Sequence, residues 1–146
     1  MRVDDVKTAM YSAMKARRSD EAAALRLLLA ELQSAEIEAR SELDEAQVTQ
    51  VLQREAKKRR EAEAAYRDAG RTDRADQEAF ELSVISRYLP AQLDRAELER
   101  LVDEAVAASG ATSPRELGKV MGILMPKIKG RADGNEARRL VQARLS

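Results

Sequence analysis

The sequence contains neither cysteine nor histidine. Without cysteine there is no disulfide, no thiol nucleophile, no thiolate zinc site and no cysteine-held cluster. Without histidine the Ser-His-Asp relay, the His-x-x-x-His metalloprotease site and the Glu-x-x-His di-iron bundle site are excluded. No Gly-x-x-x-x-Gly-Lys-Ser/Thr string occurs, which removes the phosphate-cradling loop of ATPases. Catalysis could fall only to carboxylates, Lys, Ser, Tyr or a metal held by oxygen. No residue stands out as catalytic or metal-ligating, and no cofactor is implied.

Turn formers and aromatics are also scarce: 3 Pro, 6 Gly, 3 Tyr, 1 Phe and no Trp. Asp4 and Asp5 sit where a secretory signal would need an apolar core. The strongest leucine run is broken by Arg26. No stretch approaches the roughly 20 apolar residues that span a bilayer. A soluble cytoplasmic protein without a membrane partner is the expectation.

What is present points to helix. The 146 residues include 26 Ala, and 26 Lys+Arg balance 26 Asp+Glu. A chain rich in Ala, Glu, Arg and Leu and poor in Gly and Pro reads as all-α. The first helix is expected over about 3–17, with Val3, Val6, Met10 and Met14 on one stripe. Ser19 or Asp20 is placed to cap the second, whose Leu25, Leu28, Leu29 and Leu32 recur at helical spacing. Asp44 and Gln47 form a capping-box pattern for a third helix ending near Gly70. Thr72 is placed to cap a fourth, with Ala75, Ala79, Leu82 and Ile85 inward, which must stop before Pro90.

Beyond Pro90 the punctuation sharpens. Asp94-x-x-Glu97 opens a fifth helix buried through Leu98, Leu101, Val102, Ala105 and Val106, and Gly110 closes it. Ser113-Pro114-Arg115-Glu116 combines a cap, a Pro at the first helical position and a reciprocal Glu. It opens a sixth helix carrying Leu117, Val120, Met121 and Leu124, with Pro126 and Gly130 expected to end or break it. Asp133-x-x-Glu136 opens the last, with Ala137, Leu140, Val141 and Leu145 inward. The stretch 88–93 is the candidate boundary, giving a four-helix bundle over 1–90 and a three-helix bundle over 91–146.

Zero net charge conceals an uneven distribution. Between Leu117 and Ser146 there are seven cations (Lys119, Lys127, Lys129, Arg131, Arg138, Arg139, Arg144) against Asp133 and Glu136. Such a basic end attracts phosphates through a sequence-blind, salt-sensitive force, although a plain solvated surface carries the same composition. Lys127, Lys129 and Arg131 flank Gly130 in a turn that leads into a helix N-terminus, where free N–H groups favour anions. Asp133 would compete there as the cap.

A second cluster runs from Arg54 to Arg60. Glu55 falls on the buried arc with Val48, Val51, Leu52, Ala62 and Tyr66, while Arg54, Lys57 and Arg60 point away. Glu55 and Arg59 are four apart in the favourable order, which reads as a structural ion pair bracing a neighbouring helix. The outward cations read as a solvated face. Gly118 and Gly122 lie on one flank of the sixth helix, and glycine there costs about 1 kcal/mol against Ala. Close helix packing is the preferred explanation; a ligand reaching the backbone is the other. An exposed Met125 on that flank would suggest a partner surface.

Three strings carry a resemblance to a known family: Leu25–Arg40 (LRLLLAELQSAEIEAR), Arg87–Leu93 (RYLPAQL) and Gly118–Gly134 (GKVMGILMPKIKGRADG). In this order they closely resemble the YqeY family, which implies an all-α protein of two helical bundles. The C-terminal part is similar to the tail domain of the B subunit of the tRNA-dependent amidotransferase. That resemblance places Lys127, Lys129, Gly130 and Arg131 in a matching basic turn, and Gly118 and Gly122 in the matching helix. It also implies the family label of a carbon–nitrogen ligase with glutamine as amido-N-donor. The glutaminase nucleophile, kinase site and metal ligands that such a reaction needs belong to other parts of that enzyme.

The leading expectation is therefore a non-catalytic accessory protein that binds tRNA or another structured RNA. Its candidate RNA-binding residues are Lys119, Lys127, Lys129, Gly130, Arg131 and Arg138. With no aromatic residue in the tail, contacts to backbone and shape would dominate over base stacking. The alternatives are an auxiliary component working with amidotransferase subunits, and a protein–protein adaptor.

Overall fold

Asp44 and Asp94 start helices in the same way. Each Oδ1 accepts a hydrogen bond from the N–H three residues on, at 2.8 Å, and the Gln47 or Glu97 side chain returns to the Asp N–H. Both reciprocal caps were legible as sequence patterns. In the computed structural model, which describes residues 1–146, they begin α3 (Glu45–Asp68) and α5 (Arg95–Ser109). The other helices are α1 (Val3–Lys15), α2 (Ser19–Ala39), α4 (Thr72–Ser86), α6 (Leu117–Ile128) and α7 (Gly134–Leu145). There is no strand, so the protein is all-α. The chain forms two compact units, Met1–Leu89 and Pro90–Ser146.

In the first unit four of the five α2 leucines, Leu25, Leu28, Leu29 and Leu32, are buried, and Leu27 is exposed. Their cluster includes Val6, Met10 and Ala13 of α1, Val48, Val51, Leu52 and Ala56 of α3, and Val84 and Ile85 of α4. Each fully buried Leu or Val contributes about 1.5–3 kcal/mol, so this cluster is the main stabilising term. The expected α1 stripe is corrected in one place: Met14 is 46% exposed and Ala13 is buried instead. Val6, Met10 and Ala13 form an i, i+4, i+7 line, and Met14 lies about 75° from its centre.

The caps expected at Ser19, Asp20 and Thr72 do not form. The N-caps are Arg18 and Arg71, neither with a side-chain bond. The reason lies in the preceding helix. Arg18 N–H bonds to Ala13 O at 2.9 Å and Arg17 N–H to Met14 O at 3.1 Å. Arg71 N–H bonds to Tyr66 O at 2.8 Å and Gly70 N–H to Arg67 O at 3.1 Å. Both are Schellman closures, and in each the residue that finishes one helix is the cap of the next. Turn geometry, not hydroxyl chemistry, decides these starts.

The second unit buries Leu98, Val102 and Ala105 of α5 against Val120, Met121, Leu124 and Ile128 of α6 and Ala137, Leu140, Val141 and Leu145 of α7. Gly110 closes α5 at φ +69. The start signal at Ser113 takes a different form from the expected one. Pro114–Glu116 is a 3-10 turn ahead of α6, Ser113 makes no side-chain cap bond, and the Glu116 carboxylate accepts from Thr112 N–H at 3.2 Å. Pro126 does not break α6, which continues to Ile128. Only the last turn lies beyond it, and the carbonyl deprived of its partner belongs to Gly122, an exposed residue that water can reach.

Candidate nucleic-acid interface

The candidate surface is built on the end of α6, the Gly130 turn and α7. Gly130 has φ +78, a left-handed conformation suited to glycine, and lets the chain reverse between the helices. Asp133 caps α7, with its Oδ1 accepting from Asn135 N–H at 2.9 Å. Two ion pairs tie α7 to α5: Arg95 Nη1 to Glu136 Oε1 at 3.1 Å, and Arg144 Nε to Asp103 Oδ1 at 2.7 Å. The Arg144 guanidinium is held more firmly protonated than usual by its hydrogen bond to Asp103.

The candidate cations fall into two groups. Lys119 sits 3.5 Å from Glu116 Oε2 and is compensated there. Glu116 itself titrates below the usual carboxylate range, chiefly because Thr112 N–H hydrogen-bonds to it and secondarily through Lys119. Arg131 is half-buried and serves the fold: its Nε donates to Ala91 O at 3.1 Å and its carbonyl accepts from Leu93 N–H at 2.9 Å. Gly130 O accepts from Gln92 Nε2 at 2.9 Å, so the turn is stitched to the segment that precedes α5.

Lys127, Lys129 and Arg138 are different. All three are exposed and none has a carboxylate within 4 Å. Arg139, left out of the sequence-based shortlist, shares these properties. The clue was available, because it lies opposite the buried Ala137, Leu140 and Val141. Both carboxylates of the stretch are already engaged, Asp133 in the cap and Glu136 by Arg95. Lys127 lies in the last turn of α6, and Lys129 is its C-cap, outside the helix at φ −56, ψ 124.

Gly118 and Gly122 require a correction. Both are exposed, and a Cβ added to either would meet no atom within 4 Å. Close helix packing is therefore not their role. Their flank also carries Met125, 38% exposed, whose Cε would lie 3.6 Å from a Cβ at Gly134.

The Glu55–Arg59 pair lies in the first unit. Glu55 is 1% exposed, and Arg59 Nη1 reaches its Oε1 at 3.3 Å. Arg59 Nε faces Glu81 Oε2 on α4 at 3.4 Å, and Lys58 Nζ faces Glu55 Oε2 at 3.2 Å. These last two are Coulombic contacts without hydrogen-bond geometry, leaving Glu55 Oε2 and Arg59 Nε without a hydrogen-bond partner. Nearby Glu78 titrates above its ordinary value through burial, with repulsion from Glu81 adding to it. Arg54, Lys57 and Arg60 are exposed on the other side of α3. No group of three or more acidic side chains is arranged to hold a metal ion, and no helix is long and apolar enough to cross a membrane.

Comparison with known proteins bears on the whole chain. Residues 3–145 match the profile of the family described as Yqey-like protein. An uncharacterized protein of Schizosaccharomyces pombe is 28% identical over 85 residues, covering 58% of this chain and 69% of that protein.

Proposed function

The chain belongs to the Yqey-like protein family, and from that premise we propose that it is a non-catalytic RNA-binding accessory protein with tRNA as its favoured ligand. Phosphates are met by Lys127, Lys129 and Arg138, with Arg139 beside them. The observation that carries this reading is the uncompensated charge at the α6–α7 end: these cations are exposed, while Asp133 and Glu136 are occupied elsewhere. Exposed cations of this kind neutralise phosphates and release counterions, so affinity falls steeply with salt. Lys119 and Arg131 are weaker contributors, the first paired with Glu116 and the second committed to Ala91.

Filter binding of total tRNA at low salt tests the reading. Reversing Lys127, Lys129 and Arg138 to Glu lowers affinity at least about tenfold and flattens the salt dependence by roughly one unit of slope per lost phosphate contact. Absence of wild-type binding, or reversals without effect, overturns it.

A protein–protein adaptor is the second reading, supported by exposed Met125 and the open flank at Gly118 and Gly122. It predicts binding that is insensitive to salt and is lost on Met125→Asp substitution.

A further inference from the structure

The two Schellman closures of the first unit are built alike and differ at one decisive position. At the α3–α4 turn the left-handed residue is Gly70, φ +74. At the α1–α2 turn the same place is held by Arg17, φ +59. A side chain in this conformation is disfavoured relative to glycine, so an arginine there calls for a reason beyond chain reversal. Arg17 is exposed and has no carboxylate within 4 Å.

The surroundings supply that reason. Glu21 Oε1 accepts a hydrogen bond from Arg87 Nη1 at 2.7 Å, and its Oε2 lies 2.9 Å from Arg18 Nε as an ion pair, so one carboxylate holds two guanidinium groups from opposite ends of the unit's sequence. Both arginine side chains remain more than half exposed, at 58% and 54%, with most of their N–H donors unspent. Lys15 is exposed in the last turn of α1. Lys15, Arg17 and Arg18 lie within four residues of one another in the chain, with Asp20 and Glu21 the acidic residues that follow them, in a unit whose overall charge is negative. Tyr88 completes the corner. Burial and the nearby Glu21 raise its phenol above the ordinary value, so it remains a hydrogen-bond donor throughout the neutral range. Arg40 also has positive φ, but its sequence neighbours are Glu38 and Glu42 and no second basic residue joins it.

We propose that Arg17, Arg18 and Arg87 form a second phosphate-contacting site, on the N-terminal unit, that takes the sugar–phosphate backbone of RNA. This inference rests on the RNA-binding reading and adds a site separate from the α6–α7 end. Arg17 contacts phosphate directly, Arg18 and Arg87 present planar donors, and Glu21 is the positioning residue that aims them.

The test measures filter binding of total tRNA across salt concentrations together with thermal unfolding. Arg17→Gly relieves the left-handed side chain, so the melting temperature rises by a few degrees while affinity falls; these opposite signs separate ligand contact from structure. Combined with Arg87→Gln, the expected loss is about fivefold to tenfold, with the salt slope reduced by roughly one to two. Arg17→Lys keeps the charge and recovers most of the affinity. If wild type binds, the tail reversals weaken it and the Arg17→Gly, Arg87→Gln pair binds as wild type, this site is overturned and the α6–α7 site stands. If Arg17→Gly lowers the melting temperature along with affinity, the arginine is structural and the proposal falls. If wild type does not bind tRNA, both readings fail together.

Discussion

In the N-terminal unit Glu55 is buried with Arg59 against it, and Arg59 also reaches Glu81 on the facing helix. The C-terminal unit buries no charged side chain; its ion pairs, such as Arg144 with Asp103 and Arg95 with Glu136, lie at the surface. Charge therefore does different work in the two. Within the first, the Arg59–Glu81 contact reaches from α3 to α4 beside the buried Glu55. In the second, apolar packing and exposed pairs suffice to place the helices, and the cations beyond them are available to a ligand. The cost also differs, because removing one partner of a buried pair strands the other, whereas an exposed pair contributes little.

The largest expected break in this contrast is at Glu55. Glu55→Ala leaves Arg59 with Glu81 alone and should destabilise the first unit by about 3 kcal/mol, read as a lower urea midpoint. Glu55→Met, which keeps the volume but likewise strands Arg59, should lose a similar amount. Recovery to near wild type in the Met variant would mean that volume, not charge, matters there. Next is Asp94→Ala, which removes a reciprocal cap from the second unit and should cost about 1 kcal/mol. Because the same cap recurs at Asp44, a matching loss for Asp44→Ala would show that capping is indifferent to which unit carries it.

Acid gives the smallest effect, and one of opposite sign in the two units. The folded Glu116 titrates below its ordinary value, held charged by Thr112 N–H. Its stabilisation is present above the unfolded pKa and is lost as pH falls through the folded one. Glu78 titrates above its ordinary value through burial and Glu81. Its favourable contribution is complete below the unfolded pKa and disappears as pH rises through the folded one. Thermal unfolding from pH 7 towards pH 3 should therefore show Glu116→Gln narrowing the acid sensitivity and Glu78→Gln widening it. Parallel shifts for both would contradict the assigned causes.

Much of the fold was legible because its signals are local. The leucine spacing of α2 and the reciprocal Asp caps of α3 and α5 each depend on residues within two turns. Glu55 was legible for the same reason, since its position on the buried arc of α3 follows from helical period. The starts of α2 and α4 were not, because the preceding helix imposes them through a Schellman closure. The candidate site was legible only as a count of cations. Which of them are free depends on Ala91 and Asp103, distant in sequence from Arg131 and Arg144, and on Glu116, an i, i+3 neighbour of Lys119 that spacing does offer.

By itself, then, the sequence determined an all-helical chain, the inward face of each helix and the location of excess positive charge, because periodicity and composition are properties of short segments. Tertiary structure alone decided that Arg131 bonds to the chain before α5, that Gly118 and Gly122 face open space, and that Arg18 and Arg87 share the Glu21 carboxylate. Those outcomes depend on segments distant in sequence meeting in space, and the information for that lies in packing rather than in any local pattern.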